Sequence, residues 1–206
     1  MAIDIIVKDT SNEGFAPLEA GAYRAVCYAI VNMGTTWNDY YKHEQTKIMF
    51  CWELPDERIT VDGEDKPRAL SQTYTLSLNE KSGLRKMLEG WRGRAFTPEE
   101  LQGFSLSKVL GAPCLISTVI RTGNNGRDYA NVASVSRLPK GMEVPKTVEN
   151  PKVIFDITNE ECPLSEMSKL PEWIQKRIFE SAEYKARTAS DNDDYVVVDN
   201  EEDLPF

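Results

Sequence analysis

The chain has 206 residues, 41% hydrophobic and 28% charged, a length and balance that allow one buried core with appendages. No apolar run approaches the length of a bilayer crossing, and Met1-Ala2-Ile3-Asp4 lacks the basic and apolar stretches of a secretory signal, so a cytoplasmic protein with no membrane partner is expected. The net charge of −9 argues against a nucleic-acid partner until its distribution is read: residues 191–206 hold seven acids and no base, whereas residues 1–152 are neutral, with nineteen charges of each sign.

An N-terminal arm, residues 1–18, leads to a β-rich stretch from Gly21 to Met33, entered past Pro17. A polar loop with three aromatics follows, Gly34 to His43. Gln45 to Leu54 then alternates, with Ile48, Phe50, Trp52 and Leu54 on one face and Lys47, Met49, Cys51 and Glu53 on the other. Pro55 is expected to stop this strand, and Asp62-Gly63 marks a turn. Leu70 to Leu78 alternates again, with Leu70, Tyr74, Leu76 and Leu78 opposite Ser71, Thr73, Thr75 and Ser77.

The period next changes to that of a helix, from an N-cap at Asn79 through Leu84, Met87 and Leu88 to Gly90. Thr97-Pro98-Glu99-Glu100 is a capping box with proline at the first helical position. Strands from Ala112 to Arg121 and from Arg127 to Arg137 flank Thr122-Gly123-Asn124-Asn125-Gly126, a hairpin signal. Three strands, a helical insertion and a hairpin form the order of an OB-fold, a mainly β five-stranded barrel with its helix between strands 3 and 4. That domain is expected over residues 19–140, with an SH3-like barrel as the rival architecture. Residues 141–187 then supply a linker, a short strand at Val153-Ile154-Phe155, and a helix from Leu170 to Arg187. This helix, with Trp173, Ile174, Ile178 and Phe179 on its apolar side, packs back on the barrel or makes a homo-oligomer contact. Residues 188–206 are too polar and acidic to order themselves and are expected to be a disordered acidic tail.

The chemistry offered is that of binding. Cys27, Cys51, Cys114 and Cys162 lie far apart and His43 is the sole histidine, so no metal or other cofactor is expected. No phosphate-cradling loop or nucleophile elbow is present, and the acids at 56–65 read as a solvated charge run, so no enzyme is expected. On an OB-fold, single strands lie across one face between the first loop and the last hairpin. Here the first loop carries Trp37, Tyr40, Tyr41 and Lys42. Aromatic faces stack on unpaired bases while cations meet phosphates; the bland alternative is that Trp37 and Tyr40 fold back as a lid on the barrel end. The hairpin adds Arg121, Arg127 and Tyr129, and Arg24, Lys47 and the Ser/Thr face of the third strand are candidates for the floor. Arg85 and Arg92, from the basic stretch around Trp91, are candidates to line the strand's path, with Trp91 itself a core plug.

The ending Asp199-Asn200-Glu201-Glu202-Asp203-Leu204-Pro205-Phe206 resembles the C-terminal tip of bacterial single-stranded DNA-binding proteins. Leu76 to Arg94, Thr97 to Leu110, Gly111-Ala112-Pro113-Cys114 and Leu170-Pro171-Glu172-Trp173-Ile174-Gln175 resemble small OB-fold single-stranded DNA-binding or replication proteins of phages and mobile elements. The resemblance implies a sequence-tolerant single-strand binder of replication or recombination. It also implies that Asp203, Leu204, Pro205 and Phe206 dock replication or recombination proteins. The segment 153–187 departs from the bacterial pattern and leaves that family's tetramer open. Two other classes fit the same residues: an OB-fold protein–protein adaptor without direct DNA binding, favoured by the neutral body, and a structural phage protein.

Overall fold

The computed structural model describes residues 18–61, 63–145 and 148–190, with Ser190 as backbone only. The expected arm up to Pro17 and the acidic segment 191–206, Asp203 to Phe206 included, lie outside the described residues. Six strands form one sheet: β1 (Ala22–Asn38), β2 (His43–Val61), β3 (Glu64–Thr75), β4 (Pro113–Thr122), β5 (Asp128–Ser136) and β6 (Val153–Asp156). Their order is β3-β2-β1-β4-β5 with antiparallel pairing, and β6 runs parallel to β1. The edge strands β3 and β5 approach each other, but no ladder joins them among the described residues. No helix here is long and apolar enough to cross a membrane.

β1 organises the rest because its edges are covered in relay. β2 pairs along one edge from Val26 to Asn38, while β4 takes Ala22 to Val26 on the other. β6 continues on that second edge at Ala29 to Asn32, so backbone groups that β4 leaves behind are satisfied by a strand more than a hundred residues away. A register shift between Cys27 and Ala29 adds one residue to β1 and switches the parity of its side chains. Cys27 and Ile30 consequently share one core, and Ala29, Val31 and Met33 the other.

Both faces of the sheet carry a buried core. Ile48, Phe50, Trp52 and Leu54 pack under α1 (Gly83–Arg92) through Leu84, Leu88 and Trp91. On the opposite face, Met49 and Cys51 form a second core with Phe155, Ile157, Ile174 and Ile178. β6 and α3 (Glu172–Phe179) cover it. Glu53 on this face is fully buried and accepts from the backbone N–H groups of Glu149 and Asn150 and from Asn150 Nδ2, at 2.6–3.1 Å. Glu53→Leu removes the acceptor of three donors and should lower unfolding free energy by about 2–4 kcal/mol, read from urea titration. Retained stability would show that water replaces the carboxylate.

Several boundaries move for local reasons. β2 continues through Pro55, because residues 55–57 fall in a bulge between Leu54 and Arg58 where no ladder donor is needed. β3 ends at Thr75, so Leu76 is exposed rather than part of the apolar face. Ser82, not Asn79, caps α1, accepting from Arg85 N. Gly90 lies inside that helix, which ends at Gly93 (φ 67°). A Cβ at Gly90 would sit 2.8 Å from the Val135 carbonyl, so the glycine lets helix and β5 meet. The capping box at Thr97 and Glu100 forms as read and opens α2 (Pro98–Gln102). The single helix expected over Leu170–Arg187 is two, α3 and α4 (Ala182–Ser190), and the second covers 188–190, which were expected to belong to the tail.

Candidate nucleic-acid interface

The ten-residue loop expected between the first two strands is largely strand. β1 and β2 stay paired out to Trp37↔Glu44 and Asn38↔His43, leaving only Asp39 to Lys42 as a turn. Asn38 builds that turn: its Oδ1 accepts from Tyr40 N and Tyr41 N at 3.1 and 3.0 Å, and its carbonyl accepts from Lys42 N at 2.8 Å. The aromatics consequently project at the hairpin tip, with Trp37 58%, Tyr40 85% and Tyr41 61% exposed. Tyr40 meets Tyr41 edge to face at 4.8 Å, and Tyr41 lies over His43 at 6.0 Å. They do not fold back as a lid. Lys42 beside them is largely exposed, 3.9 Å from a still more exposed Asp39.

The root of this hairpin is clamped by α4. Glu183 accepts from the Thr35 N–H and the Thr35 hydroxyl, both at 2.7 Å. Burial, the largest single influence, pushes its carboxyl up, but the two hydrogen bonds from Thr35 and one from its own backbone together bring it below the ordinary range. Nothing in the sequence around Glu183 signals a partner 148 positions earlier.

The second framing hairpin also projects. Gly123 N donates to the Arg127 carbonyl at 2.8 Å, Gly126 takes φ 74°, and Asn125 Nδ2 donates to the Tyr129 hydroxyl at 2.7 Å. Arg121 and Arg127 are exposed, with no carboxylate in ion-pair range among the described residues, and Tyr129 is half-exposed. By register the two hairpins stand at opposite ends of β1, since β4 pairs with Ala22–Val26 while the aromatic tip lies beyond Asn38. Seventeen residues of strand separate them, a contour of roughly 55 Å.

The other candidate cations serve the fold. Arg24 makes a two-pronged pair with Asp56 at 2.8 Å and donates to the Glu143 carbonyl at 3.0 Å. Lys47 Nζ donates to Gln45 Oε1 at 2.5 Å and Thr75 Oγ1 at 2.9 Å, and partial burial lowers its pKa. Arg85 pairs with Glu89 at 2.9 Å. Arg92 lies against the rings of Phe96 and Phe104, at 4.4 and 4.8 Å, and donates to Glu100. Hydrogen bonds from Arg92, then from Arg94, hold the Glu100 carboxyl down at about 2. Trp91 plugs the core, its Nε1 donating to the Pro113 carbonyl at 3.0 Å.

A feature not read from the sequence is a groove of about 1350 Å³ between the β2–β3 arm and β5. Leu54, Ile59, Leu70 and Ala130 give it apolar walls, and Arg127, Tyr129 and Trp173 line it as well. Trp173 was expected on the buried side of its helix but is 46% exposed, with Arg177 5.5 Å from its ring. A helical wheel cannot detect this, because it does not say where the groove lies. Among the described residues no group of three or more His, Cys, Asp or Glu is placed to hold a metal. No protein-family model matches this sequence, and no curated protein matches it.

Proposed function

We propose that this protein binds single-stranded DNA with little sequence preference, in replication or recombination in the cytoplasm of a phage host or of the cell carrying a mobile element. The observation that carries the reading is the hairpin tip, where Trp37, Tyr40 and Tyr41 stand in water beside Lys42 with no core to serve. Exposed aromatic faces next to a cation suit unpaired bases and their phosphates. Arg121, Arg127 and Tyr129 supply a second contact zone of the same chemistry. The strand order, with α1 between β3 and β4, supports an OB-type barrel whose β3–β5 seam is open. The run Glu202-Asp203-Leu204-Pro205-Phe206 is proposed to recruit replication or recombination proteins, on its resemblance to the bacterial tip.

Titration of labelled oligo(dT) tests this at several salt concentrations. With Lys42, Arg121 and Arg127 as the phosphate contacts, log affinity should fall against log salt with a slope of about −2. Duplex of equal length should bind far more weakly, because its bases are already stacked. One observation favours the protein–protein adaptor instead: Arg24, Lys47, Arg85 and Arg92 are engaged within a neutral body. A flat salt response, or equal affinity for duplex, decides for the adaptor.

A further inference from the structure

The groove beside the second hairpin is lined by two aromatic side chains from elements far apart in the sequence. Tyr129 stands on β5 and Trp173 on α3, and each is 46% exposed. Both rings are already held in place. The Tyr129 ring lies close over the Gly123 backbone, where a Cβ would be 2.7 Å from its Cε2, and its hydroxyl accepts from Asn125 Nδ2 at 2.7 Å. The Arg177 guanidinium lies 5.5 Å from the centre of the Trp173 ring, one helical turn further on. Rings fixed before a ligand arrives lose little side-chain freedom on binding it.

The rest of the lining suits a run of bases and phosphates. Ile59, Leu70 and Ala130 offer apolar surface on which base faces can be buried. Among the described lining residues Lys66, Arg68 and Arg127 outnumber Asp128 and Glu149, and the Glu149 carboxylate is paired with Arg58 at 2.5 Å. Arg177 adds an exposed cation beside Trp173. Asn150, whose amide could read a base edge, instead donates it to the buried Glu53 at 2.6 Å. The volume of about 1350 Å³ exceeds the roughly 300–1,000 Å³ of ordinary small-molecule sites, as a segment of polymer requires. Arg127 and Tyr129 belong to the second hairpin as well as to the groove, so the two are continuous.

We propose that this groove is a base-binding subsite for single-stranded DNA in which α3 takes part. Bases leaving the second hairpin stack on Tyr129 and then on Trp173, while Arg127 and Arg177 meet the phosphates between them. The proposal rests on the single-strand reading above. It adds to that reading an element from the segment 153–187, which departs from the bacterial pattern. Stacking on rings that make no base-edge contacts keeps the subsite tolerant of sequence.

The full-length chain carrying Trp37→Phe tests this, because Trp52 and Trp91 are buried and the remaining tryptophan is Trp173. Saturating oligo(dT) should quench the exposed part of the emission and protect it from acrylamide. In the otherwise native chain, Trp173→Ala should weaken oligo(dT) binding by about 5- to 100-fold, with Trp173→Phe retaining most of the affinity and both variants melting with the native chain. Irradiating the native chain with an oligonucleotide that carries 5-iodouracil should cross-link peptides holding Tyr129 or Trp173, a result that does not depend on how any variant folds. Equal affinity in the native and Trp173→Ala chains, with emission unchanged and no cross-link at these peptides, overturns the subsite and leaves the hairpin tip standing. Failure of oligo(dT) to bind the native chain at all overturns both. A melting temperature that falls in step with affinity in Trp173→Ala, without a cross-link at Trp173, makes that residue structural and also overturns the proposal.

Discussion

Replacing Trp37, Tyr40 and Tyr41 together by alanine is expected to weaken oligo(dT) binding by about 3–6 kcal/mol, a hundredfold or more, with no loss of thermal stability. Each base–aromatic stack contributes about 1–3 kcal/mol by alanine substitution, and three neighbouring stacks do not add fully. Stability should hold because the three side chains are 58%, 85% and 61% exposed and belong to neither core. The turn survives as well, since Asn38 and backbone groups build it. Fluorescence anisotropy gives the affinity, and circular dichroism melting the fold. Full affinity in the triple variant would remove the tip from the interface. A drop in melting temperature that matches the binding loss would make the aromatics structural.

Gly34→Ala is expected to destabilise the protein by about 2–4 kcal/mol, although it lies only three residues from that dispensable cluster. Gly34 takes φ +82°, where a side chain is strained in any surroundings. The surroundings are also full: a Cβ would lie 2.6 Å from Glu183 Oε2, 2.7 Å from Ser181 Cβ and 2.8 Å from Ile157 Cγ2. Ser181 and Ile157 are themselves buried and cannot give way. The substitution should therefore push α4 off the hairpin root and break the two Glu183–Thr35 hydrogen bonds. Denaturant titration reads the stability, and hydrogen exchange at Thr35 the loss of the clamp. A variant with native stability and a protected Thr35 amide would mean that α4 can shift without cost, and that hairpin and helix are not coupled.

Local order was legible wherever neighbours in sequence decide it. Alternation placed the strands, the helical period placed α1, Thr97 to Glu100 formed the capping box, and the glycines at 123 and 126 formed the second hairpin. Each depends on interactions spanning a few residues. The aromatic run at 37–41 was also visible as a composition with no core pattern.

The tertiary structure alone decided which face each residue serves and which charges are spent. One extra residue at the Cys27–Ala29 bulge reverses the parity of β1, and β6 and α3 bury the face of β2 that carries Met49, Cys51 and Glu53. Glu53 is buried because the backbone at 149–150 reaches it, and Arg24 is a strut because Asp56 lies across from it. Sequence by itself determined the strands, the helix that follows them and the acidic end. The fold determined that Lys42, Arg121 and Arg127 face water while Arg24, Lys47, Arg85 and Arg92 are held by hydrogen bonds and ion pairs within the chain. For Arg24 and Lys47 that division depends on partners 28 to 119 positions away, Asp56, the Glu143 carbonyl and Thr75, which no local pattern encodes. For Arg85 and Arg92 the partners Glu89 and Glu100 are near in sequence, and what the sequence does not say is that these cations are spent on them.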